Sequence, residues 1–276
     1  MLNGAEHMRR IAVLMTCYNR ADTTLECLRR LFSQELPEGT TFDVWLVDDK
    51  SPDGTGDKVK AAYPQVNVVV GTGNLFWCKG MRLAWERAAA SCDYYGYLWL
   101  NDDVSLSDGA IKAMLVDAKE HAGALIAGAV SDPATGRVCY GAKDKNGFVV
   151  PDGTAQKADR ELNGNVLLVP KDVYAKLGMI DDVYLHGFGD YDYGRMAQNA
   201  GMDIYVASHI AGECRFNKGK VGSTSRLGLV ERWRLLFSPL GFPLADTWYY
   251  HLKFDGFLRA IASCMHVMFL VMSGKR

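Results

Sequence analysis

The feature that most constrains this chain is a series of short, almost wholly apolar segments alternating with helix-like ones. Ile11–Thr16, Phe42–Val47, Val66–Val70, Tyr95–Leu100 and Ala124–Val130 read as strands. Between them, Asp22 is placed to cap a helix carrying Leu25, Leu28, Leu31 and Phe32 on one face, and Met81–Ala90 and Ala110–Lys119 read as further helices. A strand without a polar face must be covered on both sides, so the pattern predicts an α/β protein with a parallel sheet between helical layers. The second half is less regular. It offers strands at Val138–Tyr140, Phe148–Val150, Asn165–Val169 and Ile204–Ala207, and helices at Lys171–Leu177 and Asp190–Ala200. Residues 212–226 read as a Gly-, Ser- and Thr-rich basic loop.

Composition removes several classes. At 276 residues and 49% hydrophobic, the chain can bury a substantial core, and 23% charged residues is ordinary for a folded protein. A net charge of -1 gives no electrostatic case for nucleic acid. The seven cysteines are widely spaced and form no Cys-x-x-Cys pair, which argues against a zinc ribbon or disulfide framework and for reduced thiols. No apolar run precedes Ile11, so a secretory signal is not expected. Ala260–Met272 is apolar but shorter than the ~20 residues that span a bilayer.

In open α/β sheets, ligands bind beyond the carboxyl ends of the strands. Four predicted strands end in polar or acidic groups: Thr16-Cys17-Tyr18-Asn19-Arg20, Asp48-Asp49-Lys50-Ser51-Pro52-Asp53-Gly54, Gly71-Thr72-Gly73-Asn74 and Asn101-Asp102-Asp103. Any one of them reads equally as a plain turn; four at one edge favour a site. Asp102 and Asp103 follow an apolar run, where adjacent carboxylates repel each other. A hard divalent cation, Mg2+ or Mn2+, relieves that repulsion and also takes diphosphate oxygens. A helix N-cap, with Ser105 and Ser107 following, is the alternative. Asp49 could accept hydrogen bonds from a nucleobase or ribose, and Asp53 and Thr55 could cap the next helix.

With these segments in order, the chain resembles the family-2 inverting glycosyltransferases of GT-A fold, a Rossmann-like, mostly parallel sheet flanked by helices. Val13–Arg20 resembles the opening strand and nucleotide loop, Val47–Thr55 the base-and-ribose loop, Trp99–Asp103 the Asp-x-Asp metal motif, and Phe188–Tyr193 the acidic acceptor motif. The resemblance spans roughly residues 10–207 and is similar in particular to polysaccharide and lipopolysaccharide (rhamnosyltransferase-like) enzymes with an Asn-Leu-Phe-Trp segment, here Asn74–Trp77. It implies metal-dependent transfer from a nucleoside-diphosphate sugar to a glycan or lipid-linked hydroxyl, in surface polysaccharide biosynthesis. Donor contacts would come from Thr16, Tyr18, Asn19, Arg20, Asp49, Asn74, Trp77, Lys79 and Asp102. Asp103 would bind Mn2+ or Mg2+, with His209 or Glu213 as a further ligand. Asp190 would be the catalytic base, with Asp192 as its backup, and His186 and Gly187 would meet the acceptor. The chain departs from the family at Gly189, where a Glu is usual, and at Trp77-Cys78-Lys79-Gly80, which partly replaces a glycine-rich segment.

The resemblance places a catalytic domain at residues 1–225, with a nucleotide half at about 10–130 and an acceptor half at about 131–225, and a helical extension at 226–276. Within Gly212–Arg234, the basic residues with Gly219 and Gly222 suggest either a lid over the diphosphate or a solvated loop. The aromatic and apolar residues of 246–272, accompanied by Lys253 and Arg259, suggest a helix on the inner face of the cell membrane, or one packed on protein. The oligomeric state is left open. Two rival readings are a sugar-1-phosphate nucleotidyltransferase, which would want a Gly-rich loop where Thr16–Arg20 stand, and a non-catalytic sugar-binding protein, which has little need for Asp103 and Asp190 together.

Overall fold

The computed structural model describes residues 9–216 and 224–275. The elements run β1 (Arg9–Cys17), α1 (Ala21–Phe32), β2 (Thr40–Asp48), α2 (Thr55–Ala62), β3 (Asn67–Val70), α3 (Phe76–Ser91), β4 (Gly96–Leu100), β5 (Ser105–Leu106), α4 (Ala110–Glu120) and β6 (Leu125–Ser131). There follow β7 (Val138–Tyr140), β8 (Lys143–Asp144), β9 (Gly147–Phe148), β10 (Gln156–Ala158), β11 (Val166–Pro170), α5 (Lys171–Leu177), α6 (Gly189–Asn199) and β12 (Ile204–Glu213). The chain closes with α7 (Leu229–Leu235), α8 (Leu244–Asp255) and α9 (Phe257–Met272).

One large sheet has the order β10-β12-β6-β11-β4-β1-β2-β3, with β5 on β12 and β7 on β6. The pairs β4–β1, β1–β2, β2–β3 and β6–β12 are parallel, while β11 enters antiparallel between β4 and β6. The fold is thus a mostly parallel sheet between helices, as the apolar runs predict. Residues of one strand alternate between two cores: Ala12 and Leu14 of β1 join Met81, Trp85 and Trp99, whereas Ile11, Val13 and Met15 join Leu28, Leu46 and Ile126. The period-two alternation of a strand makes this division. Trp85 of α3 is fully buried in the first of these cores.

Several boundaries differ from the sequence reading. Helix α3 begins five residues earlier than Met81, and β12 runs on to Glu213 because β5 pairs with its end. Asp22 does not cap α1. The helix starts at Ala21, whose N–H donates to Asp53 Oδ2 at 3.0 Å, so the cap comes from the loop after β2. The other oxygen of Asp53 accepts from Thr55 N–H at 3.0 Å at the start of α2. Residues 217–223, the centre of the expected lid, lie outside the described residues.

The C-terminal helices are fastened by ion pairs. Asp192 of α6 is 1% exposed and receives Lys253 of α8 at 2.8 and 2.9 Å and the Tyr184 hydroxyl at 2.9 Å. Lys253 also reaches Asp181, and Arg195 pairs with Asp255 at 2.5 Å. Among the described residues, no helix is long and apolar enough to cross a membrane. Removing Lys253 would leave a buried carboxylate without its counter-charge. Lys253→Met should cost about 2 kcal/mol in urea unfolding, and the double change with Asp192→Asn should recover much of it. Equal stability of wild type and Lys253→Met would show that the pair does not hold α8.

Candidate active site

The four polar strand ends converge. The order β4-β1-β2-β3 sets them side by side, with Cys17 opposite Asp48 and Asp48 opposite Val70. Cross-loop hydrogen bonds then lace them together. Asn19 N–H donates to Ser51 Oγ at 2.9 Å, and Trp77 Nε1 donates to Asn101 Oδ1 at 2.7 Å. Asp49 is buried and accepts the backbone N–H groups of Gly73, Leu75 and Phe76 at 2.7, 2.8 and 3.3 Å. Its carboxylate therefore shapes the Gly71–Phe76 turn as well as facing this edge.

At the centre lies an acid pair under one cation. Arg20 Nη1 stands 3.1 Å from Asp102 Oδ1 and 3.0 Å from Asp103 Oδ2. Thr24 Oγ1, one turn into α1, donates to Asp102 Oδ2 at 3.1 Å. Asp102 is 5% exposed, and burial pushes its carboxyl up to about 7, against the opposing pull of Arg20. Cys214, beyond the end of β12, lies against this pair: burial, then the charge of Asp103, pushes its thiol up to about 12.

The second oxygen of Asp103 tests whether a metal fits. Oδ1 is buried and has no hydrogen-bond partner among the described residues. Among those residues, no group of three or more His, Cys, Asp or Glu could hold an ion alone. Such a donor set suits a hard cation that arrives with diphosphate oxygens and needs one or two carboxylates, rather than one caged by protein. His209 is not brought to Asp103. It lines a groove with Asp117 of α4 and His121 just after that helix and contacts Ser208, roughly 15 Å along the strand from Cys214. Glu213 is nearer, paired opposite Ser105.

The Phe188–Tyr193 segment joins the same edge through the residues that lead into β11. Asn101 N–H donates to Asn165 O at 2.9 Å, and Gly164 N–H donates to Asp190 Oδ2 at 3.0 Å. Asp190 Oδ1 accepts Tyr191 N–H at 2.9 Å, and its dense surroundings raise its pKa although it keeps some exposed surface. Gly189 has no room for a larger residue, since a Cβ there would lie 2.7 Å from Cys78 Sγ and 2.8 Å from Ile180 Cδ1. Cys78 Sγ in turn contacts His186 O and Gly187 O. The His186 ring meets Phe76 edge-on, and packing and then the charge of Arg20 hold it below the usual histidine range. Asp192 instead points into its ion pair with Lys253. Tyr18 and Asn74 are exposed, Thr16 and Lys79 are half-buried, and among the described residues Lys79 forms no ion pair. Gly80 lets α3 approach β1, because a Cβ there would lie 2.3 Å from Thr16 Oγ1.

Among the described residues, four non-glycine residues have positive φ: Asn19 (54°), Lys50 (61°), Phe76 (54°) and Phe188 (66°). All four lie in the segments just described, and strained backbone of this kind clusters at functional sites. Asp246 was not foreseen as a site residue. It is 8% exposed in the first turn of α8, with Oδ2 unpartnered among the described residues, and its charge reaches Cys78. Burial pushes its carboxyl up to about 6.

Residues 12–165 match the model of a family described as Glycosyl transferase family 2. No curated protein matches the sequence. Among solved structures, TarS 1–349 of S. aureus is 15% identical over 96% of this chain and 81% of its own, with TM-score 0.54. The mannosyltransferase PcManGT of Pyrobaculum calidifontis, in complex with GDP-Man and Mn2+, is 14% identical over 98% of this chain and 76% of its own, with TM-score 0.55. GalNAc-T7 with UDP, GalNAc and Mn2+ is 11% identical over 76% of this chain and 45% of its own, with TM-score 0.56. At these identities the likeness is one of fold.

Asp246 yields a pH prediction. The folded protein holds this proton more tightly than the unfolded chain, so the stability it lends is full below the ordinary carboxylate range and is lost as pH rises through about 6. Asp246→Asn should melt higher than wild type at neutral pH, by roughly 1–2 kcal/mol of stability, and lose that slope. A variant that melts lower at neutral pH would contradict this account of the buried carboxyl.

Proposed function

Because this chain belongs to glycosyl transferase family 2, we propose that it moves a sugar from a nucleoside diphosphate to a hydroxyl of a glycan or lipid-linked acceptor, with inversion and with help from Mn2+ or Mg2+. The observation that carries the reading is the Arg20–Asp102–Asp103 cluster, joined through Asn101, Asn165 and Gly164 to Asp190. The solved relatives named above include a mannosyltransferase holding GDP-Man and Mn2+, which accords with it.

Thr16, Tyr18, Asn19 and the Asp49 loop are assigned to the nucleotide, and Asn74, Trp77, Lys79 and Asp102 to the donor. Asp103 would hold the cation through its unpartnered Oδ1. When bound, that ion supplies positive charge beside the departing diphosphate. Arg20 is a second cation at the same place, and its guanidinium can serve diphosphate oxygens as it now serves two carboxylates.

Asp190 is assigned as the base. Each of its oxygens accepts one backbone N–H, which fixes the carboxylate and leaves lone pairs free for an acceptor hydroxyl. Its raised pKa brings it closer to the working pH, which suits general-base catalysis. The acceptor oxygen bonds to the anomeric carbon, the bond from that carbon to the diphosphate oxygen breaks, and the hydroxyl proton passes to Asp190. Asp192 is occupied by Lys253, so it serves as a backup only if that ion pair opens. His186 and Gly187 are assigned to the acceptor. A place on the inner face of a membrane, in surface polysaccharide synthesis, is the setting in which a lipid-linked acceptor would be met. Exposed Leu258, Met265 and Phe269 on α9 support contact with such a surface.

Asp190→Asn should lower transfer by ~100-fold or more while leaving nucleotide binding within about twofold of wild type. Turnover by transfer assay and affinity by calorimetry separate the two effects. Wild-type turnover in Asp190→Asn would remove it from the base role.

A further inference from the structure

A cleft of about 720 Å³ separates the acceptor motif from the C-terminal helices. His186, Gly187, Phe188 and Tyr191, which bracket Asp190, form one wall. Arg259, Ser263 and His266 of α9 and the 239–243 turn also line it. Among the described residues that line it there is no Asp or Glu, while there are an arginine and three histidines. Of these, His251 is already engaged by Asp255 at 2.7 Å, and Asp255 also holds Arg195. Arg259 and His266 are exposed and make no ion pair among the described residues.

The faces of α9 add a second observation. Residues 259, 263 and 266 recur at helical spacing and line the cleft. One residue earlier in each turn, Leu258 (82% exposed), Ala262 and Met265 (65%), followed by Phe269 (60%), form a bordering stripe of small and apolar side chains. Leu240, also 54% exposed, belongs to the cleft wall. A cationic, acid-free cleft thus opens beside an apolar surface. A molecule with a phosphate at the junction of sugar and hydrocarbon matches both features, the phosphate to the cationic cleft and the hydrocarbon to the apolar border.

Resting on the glycosyl-transfer reading above, we propose that this cleft takes the phosphate end of a lipid-linked acceptor. Arg259 and His266 hold the phosphate, the apolar border of α9 meets the hydrocarbon, and the acceptor sugar lies toward Asp190. The charge-assisted bonds come from the helical extension and not from the sheet, so this chain's specificity for a lipid-borne acceptor resides in α9.

The test uses the full chain and flotation with phosphatidylcholine vesicles, either plain, doped with a polyprenyl diphosphate, or doped with phosphatidylglycerol to equal charge. Wild type should float best with the polyprenyl diphosphate. The double change Arg259→Gln with His266→Gln should weaken that partitioning roughly tenfold, and Arg259→Lys should retain most of it. Equal flotation of wild type and the double variant would overturn the proposal. So would equal binding to phosphatidylglycerol, which would mean attraction to surface charge alone, or tighter binding of inorganic pyrophosphate than of the doped vesicles, which would mean a free-phosphate site. Nucleoside diphosphate binding with Mn2+ is measured in parallel. Its absence from wild type would strike the glycosyl-transfer reading while leaving the flotation result to decide the lipid-phosphate site.

Discussion

The interaction on which the site depends is the bridge from Arg20 to Asp102 and Asp103. Two adjacent carboxylates, one of them buried, are costly to hold in a folded protein unless a counter-charge and hydrogen bonds reach them. Arg20 supplies the charge and Thr24 a hydrogen bond, and both come from the junction of β1 and α1. That junction meets the end of β4 only because β1 and β4 are parallel neighbours. Topology and electrostatics are therefore one constraint: exchanging these strands would strand an acid pair in the core. Burial still pushes the Asp102 carboxyl up to about 7 against the pull of Arg20, and Asp103 Oδ1, the atom we assign to a cation, has no hydrogen-bond partner among the described residues.

From this centre the structure is tied outward in two directions. Toward β2 and β3, Asp49 and Asp53 use their oxygens on backbone N–H groups, so the starts of α1 and α2 and the turn after β3 are fixed by side chains from the loop after β2. Toward Asp190, Gly164 and Asn165, just before β11, link that residue to Asn101. The close fit of Gly189 against Cys78 and Ile180 explains why no larger residue, such as the glutamate common in the family, occupies that position here. The C-terminal helices are tied to α6 through the pairing of Asp192 with Lys253.

The strands and their polar ends were legible because an apolar run closed by Asp, Asn or Gly leaves little choice of period or of edge. Direction was not legible. Asn165–Val169 reads as a buried strand whichever way it runs, and only its pairing with β4 and β6 makes β11 antiparallel. The helical pattern is legible only from Met81, whereas α3 starts at Phe76, directly after the polar Gly71–Asn74 strand end, and Phe76 enters the helix at a positive φ. Asp190 and Asp192 look interchangeable in sequence, yet two residues on a helix differ by about 200°, so one faces Gly164 and the other Lys253. His209 looked close to the metal motif because the end of β12 was placed too early. Asp246 gives no signal, because an acid in the first turn of a helix is ordinary, and that its Oδ2 has no partner among the described residues is a tertiary fact.

The most direct measurement is calorimetric binding of a nucleoside diphosphate to wild type and to Asp103→Asn, each with Mn2+ and with excess chelator. Binding by wild type that needs Mn2+, together with loss of the Mn2+ effect in Asp103→Asn, is the predicted result. Equal affinity in all four conditions would contradict the view that the acid pair under Arg20 is a metal-assisted nucleotide-sugar site.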